Sequence, residues 1–142
     1  MEYETHSSEE TFNLGFEMAQ KAHKGDIICL DGQLGAGKTV FAKGFAKGLG
    51  IKEEINSPTF TIVNVHQGGK LPLYHFDVYR LASGYDMDDI GYEEYFFGDG
   101  VCLIEWASMI DEIIPLMATK VEIKKYITKD FDYRKIIVTK RR

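Results

Sequence analysis

Gly32-Gln33-Leu34-Gly35-Ala36-Gly37-Lys38-Thr39 matches the spacing G-x-x-x-x-G-K-[ST] at every fixed position, and each fixed residue type answers a need of phosphate chemistry. Glycines admit backbone angles and a closeness of approach that a side chain forbids. Successive backbone N–H groups then converge on phosphate oxygens, and a helix starting at the lysine adds the positive end of its dipole. On this reading Gly32, Leu34, Gly35, Ala36, Gly37, Lys38, Thr39 and Val40 surround the phosphates of a nucleoside triphosphate. Lys38 reaches the β- and γ-phosphates, and the Thr39 hydroxyl ligates Mg²⁺. The competing reading, an ordinary glycine turn with a chance lysine, lacks the strand before and the helix after that the flanking residues supply.

Such a loop needs a carboxylate near the metal, usually at the end of a neighbouring buried strand. Glu105 directly follows Val101-Cys102-Leu103-Ile104 and fits that place; the plain alternative is a strand-end acid facing water. Asp77 is the second candidate. In an extended chain His75, Asp77 and Tyr79 share one face while Phe76 and Val78 share the other. Asp77 could orient or activate the attacking water, hold Mg²⁺ through water, or belong to a hydrogen-bonded cluster that caps a loop. His75 reads as a structural partner. Trp106, the single tryptophan, packs over the site, presents a partner surface or, as a solitary Trp more often does, belongs to the core, and is assigned no chemistry. The hydroxyls of Ser57-Pro58-Thr59 either sense the γ-phosphate or cap turns.

The elements that must position these residues follow from pattern. Ser7-Ser8-Glu9-Glu10 reads as a capping box with Ser7 as N-cap, predicting a helix to about His23. Ile27-Ile28-Cys29-Leu30 and Val101-Cys102-Leu103-Ile104 are short, fully apolar runs, as buried parallel strands are. Lys38 to Leu49 has helical spacing and stops at Gly50. Thr59 to Val65 and Leu71 to Tyr79 form a hairpin about Gln67-Gly68-Gly69-Lys70. Ser83 to Phe97 breaks into short helical pieces, 107 to 114 reads as a helix, and Val121 to Ile127 and Lys135 to Thr139 read as strands near an edge. The predicted fold is α/β: a single P-loop domain over 1–142, with a mainly parallel central sheet flanked by helices, an antiparallel hairpin and edge strands.

With 142 residues, 44% of them apolar, the chain suits one domain with a real core. No apolar run reaches the roughly eighteen residues of a membrane span, and Met1 to Thr5 is acidic, unlike a signal peptide, so a cytoplasmic protein is expected. Cys29 and Cys102 lie in apolar runs and read as free thiols. The net charge of −5 argues against autonomous nucleic-acid binding. From Lys120 onward, however, nine Lys and Arg face three acids, giving +6 there and −11 elsewhere. That end either meets RNA or an acidic partner, or it protects exposed sheet edges.

Taken together, the loop, Ser57-Pro58-Thr59-Phe60-Thr61, His75-Phe76-Asp77-Val78-Tyr79-Arg80-Leu81 and Leu103-Ile104-Glu105-Trp106 resemble the bacterial TsaE (YjeE) family from about Ser8 to Pro115, with the C-terminal strands fitting loosely. The resemblance implies a small ATPase, weak alone, that assists a TsaD–TsaB complex in forming threonylcarbamoyladenosine in tRNA. It implies ATP and Mg²⁺ as cofactors, phosphates held by Lys38, the metal held by Thr39 and Glu105, and hydrolysis supported by Asp77. It also implies adenine near Ser8 with the C-terminal strands close by, hence nucleotide contacts at Ser8 and Arg134. Any tRNA contact would be indirect or through the basic C-terminus. Gln33 stands where the family usually has an acid, and Val40 where a second Thr is common. Three rivals remain. A small-molecule kinase would want an Arg-rich lid, which 83–100 lacks. A GTP switch is poorly matched by Asp88-Asp89-Ile90-Gly91 and Thr128-Lys129-Asp130. A nucleotide-gated binding module would hydrolyse nothing.

Overall fold

The computed structural model describes residues 1–33, 35–56, 58, 62–81, 83–126 and 128–140. Seven strands form one sheet in the order β1-β7-β6-β2-β5-β4-β3. They are β1 (Glu2–Thr5), β2 (Ile27–Gly32), β3 (Val63–His66), β4 (Leu73–Asp77), β5 (Val101–Glu105), β6 (Thr119–Lys125) and β7 (Arg134–Lys140). At the centre β6, β2, β5 and β4 run parallel. The outer pairings, β3 on β4, β7 on β6 and β1 on β7, are antiparallel. The architecture is the single α/β domain that the sequence predicts.

The runs Ile27–Leu30 of β2 and Val101–Ile104 of β5 are apolar at every position because both faces are covered. Ile28, Leu30, Val101, Leu103, Val121 and Ile123 point into one core with helices α1 (Ser8–Gln20) and α2 (Lys38–Gly48). Ile27, Cys29, Cys102 and Ile104 point into the other. There they meet Met87 of a 3-10 segment (Gly84–Ile90), Phe96 of α3 (Tyr92–Phe96), and Ala107 and Ile110 of a second 3-10 segment (Ala107–Ile113). Both cysteines are buried and neither is in a disulfide, and burial pushes the Cys102 thiol pKa up.

Several expectations shift. Ser7 does cap α1, its Oγ accepting from Glu10 N at 3.1 Å. The reciprocal bond to the Glu10 carboxylate comes from His6 N, one residue early. α1 ends at Gln20 rather than His23. The expected α-helix over 107–114 is a kinked 3-10 segment; Ala107 and Ile110, three apart, stack on the same face there and both are buried. β1 was not foreseen: it is four residues long, and half of them are acids. Because β1 covers β7, the Lys-rich strands β6 and β7 are not the sheet edges. Lys135 instead pairs across that junction with Glu2, 2.9 Å apart. The expected strand beginning at Thr59, the Ser57 and Thr59 hydroxyls, the Leu34 contact and the end of a strand at Ile127 lie outside the described residues.

Candidate nucleotide and metal site

The loop leaves the C-terminal end of β2 and turns straight into α2. Gly37 makes that turn possible: at φ 111° it adopts a backbone that an L side chain resists, and it serves as N-cap with no side chain of its own to offer. The first N–H groups of α2 are thereby left facing outward over the loop. Lys38, the first helical residue, is 6% exposed. Its Nζ donates to the carbonyls of Gly32 and, at 3.2 Å, Gln33. It also sits 4.0 Å from the centroid of the Trp106 ring. Burial lowers the Lys38 pKa, while the charges of Glu105, Asp77 and Asp31 act in the opposite direction.

β4 and β5 bring the carboxylates to the same place. Asp77 and Glu105 are register partners at the C-terminal ends of these parallel strands. By alternation along β4 and β5 both share the face of Leu73, Val101 and Leu103, the face that carries α2. His75 lies on that face too, and Phe76 and Val78 on the other, as the sequence predicts. Gly35, Gly37, Lys38, Thr39, Asp77, Glu105 and Trp106 line one cleft of about 400 Å³. The Asp77 carboxylate is half-buried and accepts from Tyr79 N at 3.1 Å. Burial raises its pKa, and the Glu105 charge adds to the rise.

The donor set suits a hard cation. Thr39 and Glu105 supply oxygen, with Asp77 beside them. Among the described residues no group of three or more His, Cys, Asp and Glu could hold a metal ion. Mg²⁺ takes one or two protein oxygens and completes its shell with substrate phosphate and water, so such a cluster is not required of it. The residues present fit Mg²⁺ held jointly with a triphosphate.

A second recess adjoins the loop and shares Gly37 with the first. Ser7, Ser8, Thr11, Ala36, Gly37, Val40, Asp132 and Arg134 line it. Its volume, about 20 Å³, holds roughly one water, so a base would lie across it rather than inside it. Ser8, Val40 and Arg134 are thus brought together although 126 residues separate the first from the last. Arg134 Nε donates to Ala36 O at 2.7 Å and its terminal nitrogen to Gly35 O at 3.3 Å. This β7 residue therefore braces the loop's backbone directly.

Sequence reasoning left the place of Trp106 open and missed Asp31. Trp106 packs against the apolar core and also stands half-buried on the cleft wall, with Lys38 on it and Tyr79 against it at 4.7 Å between ring centroids. It is also the sole non-glycine residue with positive φ among those described, at 62°, a strained backbone for a bulky side chain. Asp31, the last acid before the loop, accepts from Ser108 N at 3.2 Å and Ser108 Oγ at 3.1 Å. It ties the 3-10 segment after Trp106 to the loop strand. An acid between an apolar run and a glycine loop was the available signal.

Comparison with known proteins agrees with this geometry. The family model described as "Threonylcarbamoyl adenosine biosynthesis protein TsaE" matches residues 5–136. The match therefore runs past Pro115 through β6 and into β7, further than the motifs alone suggest. The tRNA threonylcarbamoyladenosine biosynthesis protein TsaE of Bacillus subtilis is 48% identical over 125 residues, covering 88% of this chain and 78% of that one. The protein of the same name from Treponema pallidum is 45% identical over 118 residues, covering 83% and 87%. The crystal structure of Bacillus subtilis YdiB superposes with a TM-score of 0.86 at 42% identity, covering 100% of this chain and 86% of that one.

Proposed function

The chain belongs to the TsaE family, and from that premise we propose that it is a partner-activated Mg-ATPase assisting a TsaD–TsaB complex to form threonylcarbamoyladenosine in tRNA, in the cytoplasm. The observation that carries the reading is the convergence of Lys38, Thr39, Asp77 and Glu105 on one cleft. That cleft stands at the carboxyl ends of parallel strands, where open α/β sheets bind their ligands.

Each residue has a task in that cleft. Gly35 and Gly37 present backbone N–H groups, and the start of α2 adds its dipole. Lys38 leaves the Gly32 and Gln33 carbonyls for the β- and γ-phosphates, keeping its attraction to Glu105 and Asp77. Thr39 and Glu105 hold Mg²⁺, which when bound neutralises charge developing on the phosphates. Asp77 orients the attacking water by accepting its hydrogen bond. Ser8, Val40 and Arg134 border the recess where the adenosine end lies. No helix among the described residues is long and apolar enough to cross a membrane.

The test is ATP hydrolysis by the purified chain, alone and with the matching TsaD, TsaB and tRNA. Turnover should rise in the complex and fall at least about 100-fold in Lys38→Ala, the scale of losing one preorganised electrostatic contact. Turnover that partners do not change would remove the assigned role and leave a nucleotide-binding protein with another client.

A further inference from the structure

We propose that His75 is a positioning residue that fixes the Glu105 carboxylate for the divalent cation bound with ATP. The proposal rests on the reading of Glu105 as a metal ligand. Its ground is a buried side-chain pair. His75 is 1% exposed and Glu105 2%, and His75 Nε2 lies 2.6 Å from Glu105 Oε2. A carboxylate only accepts, so the imidazole donates from Nε2. His75 Nδ1 is buried with no hydrogen-bond partner among the described residues. A lone pair left there is tolerated more readily than an unpaired N–H, which selects the Nε2–H tautomer.

The sheet explains why this contact controls direction. β4 and β5 are central, parallel and covered on both faces. His75 is in register with Leu103, one alternation before the Asp77–Glu105 pair. The two backbones are held by the ladder, so side-chain rotation is the main freedom left to Glu105. A hydrogen bond from a second strand removes it, leaving the carboxylate facing the cleft it lines with Lys38 and Thr39. An apolar side chain at 75 could fill the same space, but it could not set the carboxylate's orientation. Partners of this kind change metal affinity by about 10–100-fold when removed.

The experiment uses the full chain with Mn²⁺ as the probe, in the presence of a non-hydrolysable ATP analogue, with free Mn²⁺ read by electron paramagnetic resonance. The His75→Leu variant should bind Mn²⁺ about 10-fold or more weakly, while metal-free nucleotide affinity stays the same. His75→Gln keeps an N–H donor near the Nε2 position and should recover to within about threefold of wild type. Added to Glu105→Gln, His75→Leu should cause no further loss. The proposal is overturned if His75→Leu holds Mn²⁺ as well as wild type, if Gln is no better than Leu, or if the losses add. Should Glu105→Gln itself leave Mn²⁺ binding unchanged, the metal-ligand reading fails, and the proposal with it. If the Leu variant does not fold, ¹⁵N imidazole spectra of the wild type decide: an Nε2–H tautomer supports the proposal and an Nδ1–H tautomer overturns it.

Discussion

Asp77 occupies a position that disfavours its charge. Desolvation at the end of β4 raises its pKa above the ordinary 3.8, with the Glu105 charge contributing in the same direction. A carboxyl whose folded pKa is raised contributes stability below its unfolded pKa, and that contribution is lost as pH rises through the folded value. Ionised Asp77 therefore weakens the fold at neutral pH. Asp77→Asn keeps an oxygen for Tyr79 N and removes the charge, so its Tm at pH 7 should exceed that of wild type. The gap should shrink as the pH falls toward about 4, as followed by circular dichroism melts. ATP turnover should fall about 100-fold or more, the scale of losing a group that handles the attacking water. A variant no more stable than wild type at pH 7 would show that Asp77 is not held under strain. Asp77, Glu105 and Lys38 were legible in the sequence because each stands at a fixed distance from a recognisable run. The place of Trp106 stayed open because it depends on a backbone turn at φ 62°, and the role of Asp31 escaped because it depends on a bond to Ser108, 77 positions away.

The helices that carry the site meet unusually closely. A Cβ placed on Gly44 of α2 would stand 2.0 Å from Phe12 O of α1, against backbone that cannot step aside. The contact positions α2, and with it Lys38 and Thr39 at its first turn. Gly44→Ala would improve helix propensity by about 1 kcal/mol, yet it forces the helices apart. Overpacking of this kind costs about 1–3 kcal/mol, occasionally more, so the net expectation is a lower Tm and weaker nucleotide binding together. A chemical denaturation series checks it, and a variant as stable as wild type would contradict the close packing. Both helices were readable from their periodicity, since apolar residues recur at helical spacing. The glycine carried no such signal, because its role exists only once α1 and α2 are packed. β1 escaped for a related reason: Glu2-Tyr3-Glu4-Thr5 has no apolar run, and it becomes a strand by pairing with β7 from the far end of the chain.

At the scale of the molecule, the cleft draws on the ends of β2, β4 and β5 and the start of α2, while Arg134 of β7 holds the loop between them. Alternating strands and helices made the fold class legible. Strand order was not, because β6 lies beside β2 from about 90 residues away and no local pattern records that pairing. A site assembled from so many parts exists only in the folded chain, so its ligand must stabilise the whole fold. At a nucleotide concentration 100 times Kd the gain is about 2.7 kcal/mol. For a domain of this size that corresponds to a rise in Tm of about 5–10 °C. On the proposed reading the rise should need ATP and Mg²⁺ together for its full size, and adenosine alone, which lacks phosphates, should give little of it. Lys38→Ala should lose most of the shift, measured against its own ligand-free melt, since the substitution also removes the contact with Trp106 and the attraction to Glu105 and Asp77. A shift equal for adenosine and Mg-ATP would place recognition at the base recess rather than at the loop, and the convergence of Lys38, Thr39, Asp77 and Glu105 would then need another explanation.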